Sequence, residues 1–137
     1  MKNNKEKNLI ITAPISLGEL LDKITILEIK KTKIFDNKLE NIKKEYFLLN
    51  EILEEINIKL DNKLFLELKK VNKILWKLED AIREKEILKV FDEEFINLAR
   101  DIYKFNDLRS KIKREINILY SSGIIEEKSY EKLTHSS

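Results

Sequence analysis

The 137-residue chain has no cysteine, two glycines, one proline and one histidine, His135. Without cysteine, a thiolate nucleophile, a disulfide and a cysteine zinc site are all excluded. Gly18 and Gly123 are too far apart to form a glycine-rich phosphate loop. One histidine near the end disfavours a histidine-based catalytic triad or metal site. We therefore expect no metal and no cofactor.

Charge of one sign is also scarce, because the formal net charge is only +2 and residues 1–8 supply all of it. A nucleic-acid-binding domain normally keeps a basic face, so we expect no nucleic-acid partner. No apolar run approaches the roughly 20 residues that span a bilayer, so we expect no membrane partner and a cytoplasmic protein. The expected organisation is a flexible basic leader at 1–9, a single helical domain at 10–132 and a disordered tail at 133–137.

Capping residues and hydrophobic spacing predict four helices. Helix 1 is expected from the Ser16 cap to about Phe35, where the pair Asp36-Asn37 ends it and caps helix 2. The pair Asp61-Asn62 makes a second break, and helix 3 is expected to resume at Leu64 and to end near Leu88. Helix 4 is expected from the Asp92 cap to about Ser122, with Gly123 as its C′ residue. A heptad seam marks helix 2, at Leu39, Ile42, Tyr46, Leu49, Leu53, Ile56 and Leu60. Helix 3 continues the pattern from Leu64 to Ile82.

These short connections favour antiparallel neighbours. The predicted fold class is all-α, an antiparallel bundle of four helices with a coiled-coil-like helix 2/helix 3 hairpin. An elongated three-helix coil with helix 1 folded across it is the alternative. A short turn around 126–132 is a further expectation.

Several polar residues fall on apolar helix faces. On helix 4 the stripe that begins at Phe95 turns polar at Asn106, Arg109, Lys113 and Asn117. Helix 3 has a second ridge at Asn72, Trp76, Glu79 and Arg83, and Glu28 interrupts the apolar face of helix 1. Burial of such groups is unfavourable unless they find partners.

These residues support two readings of one region. In the first, Arg83, Arg109 and Lys113 bind a small anion, while polar groups contact its hydroxyls and Trp76 stacks on it. The candidate ligand-binding set is Glu28, Asn72, Trp76, Glu79, Arg83, Asn106, Arg109 and Lys113. In the second, the same charges neutralise one another in a buried network, or the stripe faces solvent. Glu19 and Asp22 have the spacing of a metal-binding pair, but the favoured interpretation is a helix cap at Glu19 and an exposed acid at Asp22.

Several segments together resemble a known family. They are residues 15–30, Asn72 to Arg83, Phe91-Asp92, Leu98 to Arg100, Asn106 to Arg109 and Glu126 to Tyr130. The chain is similar to the domain of unknown function 6165, a family of small bacterial and phage proteins. The resemblance implies a family and no activity. Its motif positions here are Glu19, Asp22, Lys23, Glu28, Asn72, Trp76, Glu79, Arg83, Asn106, Asp107, Arg109 and Tyr130.

Three hypotheses for function remain. The first is a helical module that binds a small anionic or sugar-phosphate-like ligand at the polar ridge between helices 1, 3 and 4. The second is a structural or interaction protein, a homo-oligomer such as a homodimer with a closed salt-bridge network and no ligand. The third is a small enzyme with a carboxylate base, Glu28 or Glu79. Because no cysteine or core histidine is present, the balance leans against an enzyme.

Overall fold

A computed structural model describes residues 8–128. Four α-helices and no β-strand occur in this part of the chain. The helices are α1, Leu17–Lys33; α2, Lys38–Ile56; α3, Asn62–Leu88; and α4, Glu93–Leu119. The prediction of an all-α, four-helix bundle is confirmed. Most of the expected leader and most of the expected turn at 126–132 lie outside the described residues. The expected tail lies wholly outside them.

Side chains cap three of the helix starts, two of them at the predicted caps, Ser16 and Asp92. The predicted cap of α2 is wrong for Asn37, whose side chain makes no capping hydrogen bond. Ser16 Oγ accepts the Glu19 amide at 3.0 Å, and Asp92 Oδ1 accepts the Phe95 amide at 3.0 Å. Asp61 caps α3 through the amides of Lys63 and Leu64. Each contact satisfies a backbone donor that the first helical turn leaves without a partner.

Two helix ends differ from the prediction. The α2 seam was expected to run to Leu60, but α2 ends at Ile56 because Asn57 adopts a left-handed conformation with φ 53°. Asparagine tolerates this conformation better than most residues. Helix α4 ends at Leu119, and its C′ residue is Ser121, with φ 53°, rather than Gly123. The Ser122 amide donates to the Asn117 carbonyl at 2.8 Å, which closes a Schellman motif.

The core forms where α1 packs on α3 and α4. Its fully buried members include Leu21, Ile24, Leu68 and Ile116. Helices α3 and α4 form a long antiparallel hairpin, since the Asp61 amide donates to the Tyr120 hydroxyl at one end and Lys85 contacts Asp92 at the other. No helix in residues 8–128 is long and apolar enough to cross a membrane.

The expected helix 2/helix 3 hairpin is corrected by the packing. Among the four helices, α2 has close backbone contacts with α1 alone, while α3 pairs with α4. The α2 seam turns toward α1, where Tyr46 hydrogen-bonds to Glu28. A heptad pattern requires an apolar neighbour but does not specify which helix supplies it.

The outer part of the α3/α4 hairpin has no core of its own. Residues 76–111 include no buried residue, although nine of their apolar side chains are half-buried. We call residues 76–111 the arm. All buried residues of α3 and α4 lie outside the arm, in residues 62–75 and 112–119.

Candidate functional site

Asp22 is the centre of a polar cluster between α1, α3 and α4. Its side chain is 1% exposed. Asp22 Oδ1 accepts hydrogen bonds from Asn72 Nδ2 at 2.8 Å and from Arg109 Nε at 3.0 Å. Asp22 Oδ2 accepts a further bond from Arg109 Nη2 at 2.5 Å. The guanidinium therefore donates two parallel hydrogen bonds to the carboxylate, the strongest geometry available to this pair.

The surrounding helices orient this pair. Thr25 Oγ1 donates to the Asp22 carbonyl at 2.8 Å and accepts from Asn72 Nδ2 at 2.8 Å. One amide group of α3 is thus held by two side chains of α1. Every buried side-chain nitrogen or oxygen in residues 8–128 has a hydrogen-bond partner. The cluster is closed toward the interior, which removes most of the penalty of burying its polar groups.

Helix α4 also closes the N-terminus of α1. Asn117 Oδ1 accepts the Gly18 amide at 2.7 Å, and Ser122 Oγ accepts the Leu17 amide at 3.2 Å. The Ser16 hydroxyl donates to Glu126 Oε1 at 2.6 Å. The amides that would attract an anion to a helix N-terminus are therefore already occupied.

Lys113 connects this terminus to the Asp22 pair. Its Nζ lies 3.3 Å from Glu19 Oε2 and 3.9 Å from both Asp22 Oδ2 and Glu126 Oε2. Three carboxylates thus surround two cations, Lys113 and Arg109. The cluster has a formal charge of −1, so its charge does not favour binding of an anion.

Asp22 raises the pKa of Arg109 above its ordinary value. The hydrogen bonds to Asp22 are the largest cause, burial opposes them, and the charges of Asp22, Glu19 and Glu79 add to the rise. Arg109 therefore stays charged at any pH at which the protein is folded.

The family profile of DUF6165, a family of unknown function, matches residues 11–136. The chain belongs to this family. No curated protein and no solved structure matches it. Because the function of the family is unknown, family membership indicates no activity. The function of this DUF6165 chain therefore has to be inferred from its own residues.

The structure gathers about half of the predicted ligand-binding residues in this DUF6165 chain. Asn72, Arg109 and Lys113 meet around Asp22. Asn106 Oδ1 accepts from Arg109 Nη1 at 3.4 Å. The stripe on α4 therefore faces α1, and the expectation that it faces solvent is wrong for these positions.

The other predicted residues lie apart from that pair. Arg83 is on the surface, where it forms only an exposed ion pair with Glu79 at 3.7 Å, and Trp76 is half-buried on the arm. Glu28 belongs to a second cluster, where it accepts from the Tyr46 hydroxyl at 3.0 Å and pairs with Lys69 at 2.8 Å.

Asp22 is the central residue that the site prediction left out. The prediction of an exposed acid at this position is wrong, since the carboxylate is buried. The sequence did contain a signal, because Gly18, Asp22, Thr25 and Ile29 recur at spacings 4, 3 and 4 and form one helix ridge. A glycine and a threonine beside an acid on such a ridge indicate close helix packing around it. In the described part of the chain, no three acidic or histidine side chains are grouped to hold a metal ion.

Proposed function

We propose that this DUF6165 protein is a structural interaction protein without catalytic activity, in which the Asp22 cluster fixes α1 on the α3/α4 hairpin and leaves the arm available to a partner. The bidentate pair between buried Asp22 and Arg109 carries the proposal. Both oxygens of the carboxylate are used within the fold, and a closed pair of this kind fixes helix register rather than attracting ligand.

The carboxylates considered as catalytic bases support the non-catalytic proposal. Glu28 is held by Tyr46 and Lys69, and Glu79 is exposed beside Arg83. A carboxylate that acts as a general base usually lies in an apolar, water-poor site with an acceptor oxygen free. Neither residue has such surroundings. We further propose that the protein acts in the cytoplasm of a bacterium or of a phage-infected cell; the absence of cysteine fits a reducing compartment.

Binding of a small anion is the second candidate function. One observation favours it: the Arg109 side chain keeps 30% of its surface exposed, and its Nη1 has only a long contact, to Asn106. A phosphate group could reach that edge without displacing Asp22. The three carboxylates around the two cations weigh against it, so we rank it second.

The melting temperature of Arg109→Met, compared with wild type, tests the proposal. The substitution leaves buried Asp22 with Asn72 and with Lys113, whose Nζ is 3.9 Å from Asp22 Oδ2. Breaking a buried pair costs about 3–5 kcal/mol, and we expect about 2–4 kcal/mol because Arg109 is partly exposed. That is a fall of roughly 10 °C for a chain of this size. Arg83→Met is the matched control, since its pair is exposed and worth less than about 1 kcal/mol.

The same assay with inorganic phosphate separates the two candidates. A ligand that binds only the folded state raises the melting temperature by mass action. The proposal expects no rise beyond that of an equal ionic strength of chloride. If Arg109→Met melts no lower than Arg83→Met while phosphate stabilises wild type alone, the structural function is refuted and the anion site takes its place.

A further inference from the structure

The α3/α4 hairpin has a face that no other described helix covers. Its polar contacts to α1 include those of Asn72, Arg109, Lys113 and Asn117. At 100° per residue, the opposite sides of the two helices form what we call the back face. The back face includes Ile74, Ala81 and Leu88 of α3 and Leu108, Glu115 and Ile118 of α4. Because α2 has close backbone contacts with α1 alone, it leaves the back face uncovered as well.

The back face carries an apolar knob at one end and an apolar depression at the other. At the arm's tip, Leu88 is 64% exposed and its neighbour Ile87 is 78% exposed. At the base, a depression of about 340 Å³ is lined by Leu64, Glu115, Ile118 and Leu119. This volume is at the small end of the range for ligand pockets and suits side chains.

Charge is divided along the same hairpin. Residues 79–105 hold eight acidic and five basic residues, whereas residues 62–78 and 106–119 together hold nine basic and three acidic ones. Five acids from outside the hairpin pair with the inner part, through Lys69, Arg109, Lys113 and Arg114. The inner part still keeps a net positive charge, opposite in sign to the outer part.

A second copy of this chain matches both patterns. The hairpin is long in relation to its width, since 27 residues of α-helix extend about 40 Å. Two helices side by side are roughly 20 Å wide, so the back face covers about 800 Å², the area each partner buries in a standard interface. A two-fold axis near its middle places the acidic outer part of one copy on the basic inner part of the other.

We propose that two copies of this protein pair through their back faces in antiparallel orientation, with Leu88 of each seated in the depression of the other. In this arrangement Glu84 of one copy lies over Lys70 and Lys111 of its partner, because Lys70 and Glu84 are equidistant from the axis. The two arms then share an apolar layer that neither forms alone. This inference rests on the proposed interaction function and names its partner.

Sedimentation velocity over a concentration series tests the pairing. Wild type should reach twice the 16.4 kDa mass of one chain. We expect Leu88→Asp and Glu84→Lys each to weaken dimerisation at least tenfold, because one buries a charge and the other opposes like charges. The exchange Glu84→Lys with Lys70→Glu restores opposite charges and should recover most of the affinity. All three positions are half-exposed or more, so the fold is not at risk.

Lys43→Glu on α2 is the matched control, an exposed charge reversal away from the back face that should leave dimerisation unchanged. If wild type and all variants dimerise equally, the pairing is overturned while the interaction function stands. If wild type stays monomeric at the highest concentration, a second copy is not the partner and the inference is likewise overturned. The Arg109→Met and phosphate measurements judge the proposed function separately.

Discussion

Replacing Gly18 by alanine should destabilise this protein, although the same change stabilises most helices. Gly18 lies in the first turn of α1, where α1 crosses α4. A Cβ atom at this position would lie 2.6 Å from the Lys113 carbonyl oxygen and 3.0 Å from Asn117 Oδ1. The nearest atom belongs to the backbone of a helix, so it cannot turn aside as a flexible side chain would.

The size of the effect follows from three opposing contributions. Alanine is favoured over glycine inside a helix by up to about 1 kcal/mol. Overpacking a tight contact costs about 1–3 kcal/mol, and moving α1 away weakens the Gly18–Asn117 hydrogen bond, worth about 1 kcal/mol. The balance is a net loss of about 1–3 kcal/mol. For a chain of this length, that lowers the melting temperature by roughly 4–12 °C.

Thermal unfolding followed by circular dichroism at the helix band measures this loss. Gly123→Ala is the matched control, because a Cβ there meets nothing within 4 Å and its φ is not positive. That variant should be unchanged or stabilised by up to about 1 kcal/mol. If Gly18→Ala melts at or above wild type, α1 and α4 do not approach as closely as described, and the close packing around Asp22 is refuted.

Two further predictions concern the hydrogen bonds of α1. Burial, followed by the hydrogen bond to Glu28, raises the pKa of Tyr46, so the stability that neutral Tyr46 adds is complete below the ordinary tyrosine pKa of about 10 and is lost as the pH rises through the raised pKa. Glu28→Gln should lower this pKa, which alkaline titration followed by ultraviolet absorbance measures against wild type; identical titration curves would contradict the contribution of Glu28. Asn117→Ala leaves the Gly18 amide without its acceptor and should cost about 1–3 kcal/mol in denaturant unfolding, whereas exposed Asn97→Ala should be near neutral; equal stabilities would refute the cap.

Local chemistry made the helices predictable. Ser16 and Asp92 cap their helices as predicted, because a short polar side chain can accept hydrogen bonds from amides of the first helical turn. The helix that packs on α2 could not be predicted, because an apolar seam indicates that a neighbouring helix exists but not which helix it is. The ends of α2 and α4 are set by single residues in the left-handed conformation, Asn57 and Ser121. Serine rarely adopts this conformation, so the end of α4 could not be predicted from it.

The sequence predicted about half of the residues of the candidate site. Arg109, Lys113 and Asn72 stood out because they interrupt apolar faces of long helices. Asp22 did not stand out, because it follows the Ser16 cap by six residues and Glu19 by three, and such an acid just after a capping box is expected to be exposed. Its burial depends on α4 crossing α1 at Gly18, a contact between residues nearly 100 positions apart. Tertiary contact, and not local preference, decides whether such an acid is a cap or a core residue.

The contrast between the two parts of the α3/α4 hairpin explains how the arm can exist without a core. Helix formation is cooperative, so a helix nucleated in the core near Leu68 and Ile116 extends outward at little further expense. The Lys85 contacts with Asp92 and Glu94, together with the edge-to-face pair of Phe91 and Phe95, close the far end. The arm is therefore continuous with a rigid base, yet its apolar side chains are covered on one side only. A surface of this kind is already ordered before it meets a partner, so little conformational entropy remains to be lost on binding.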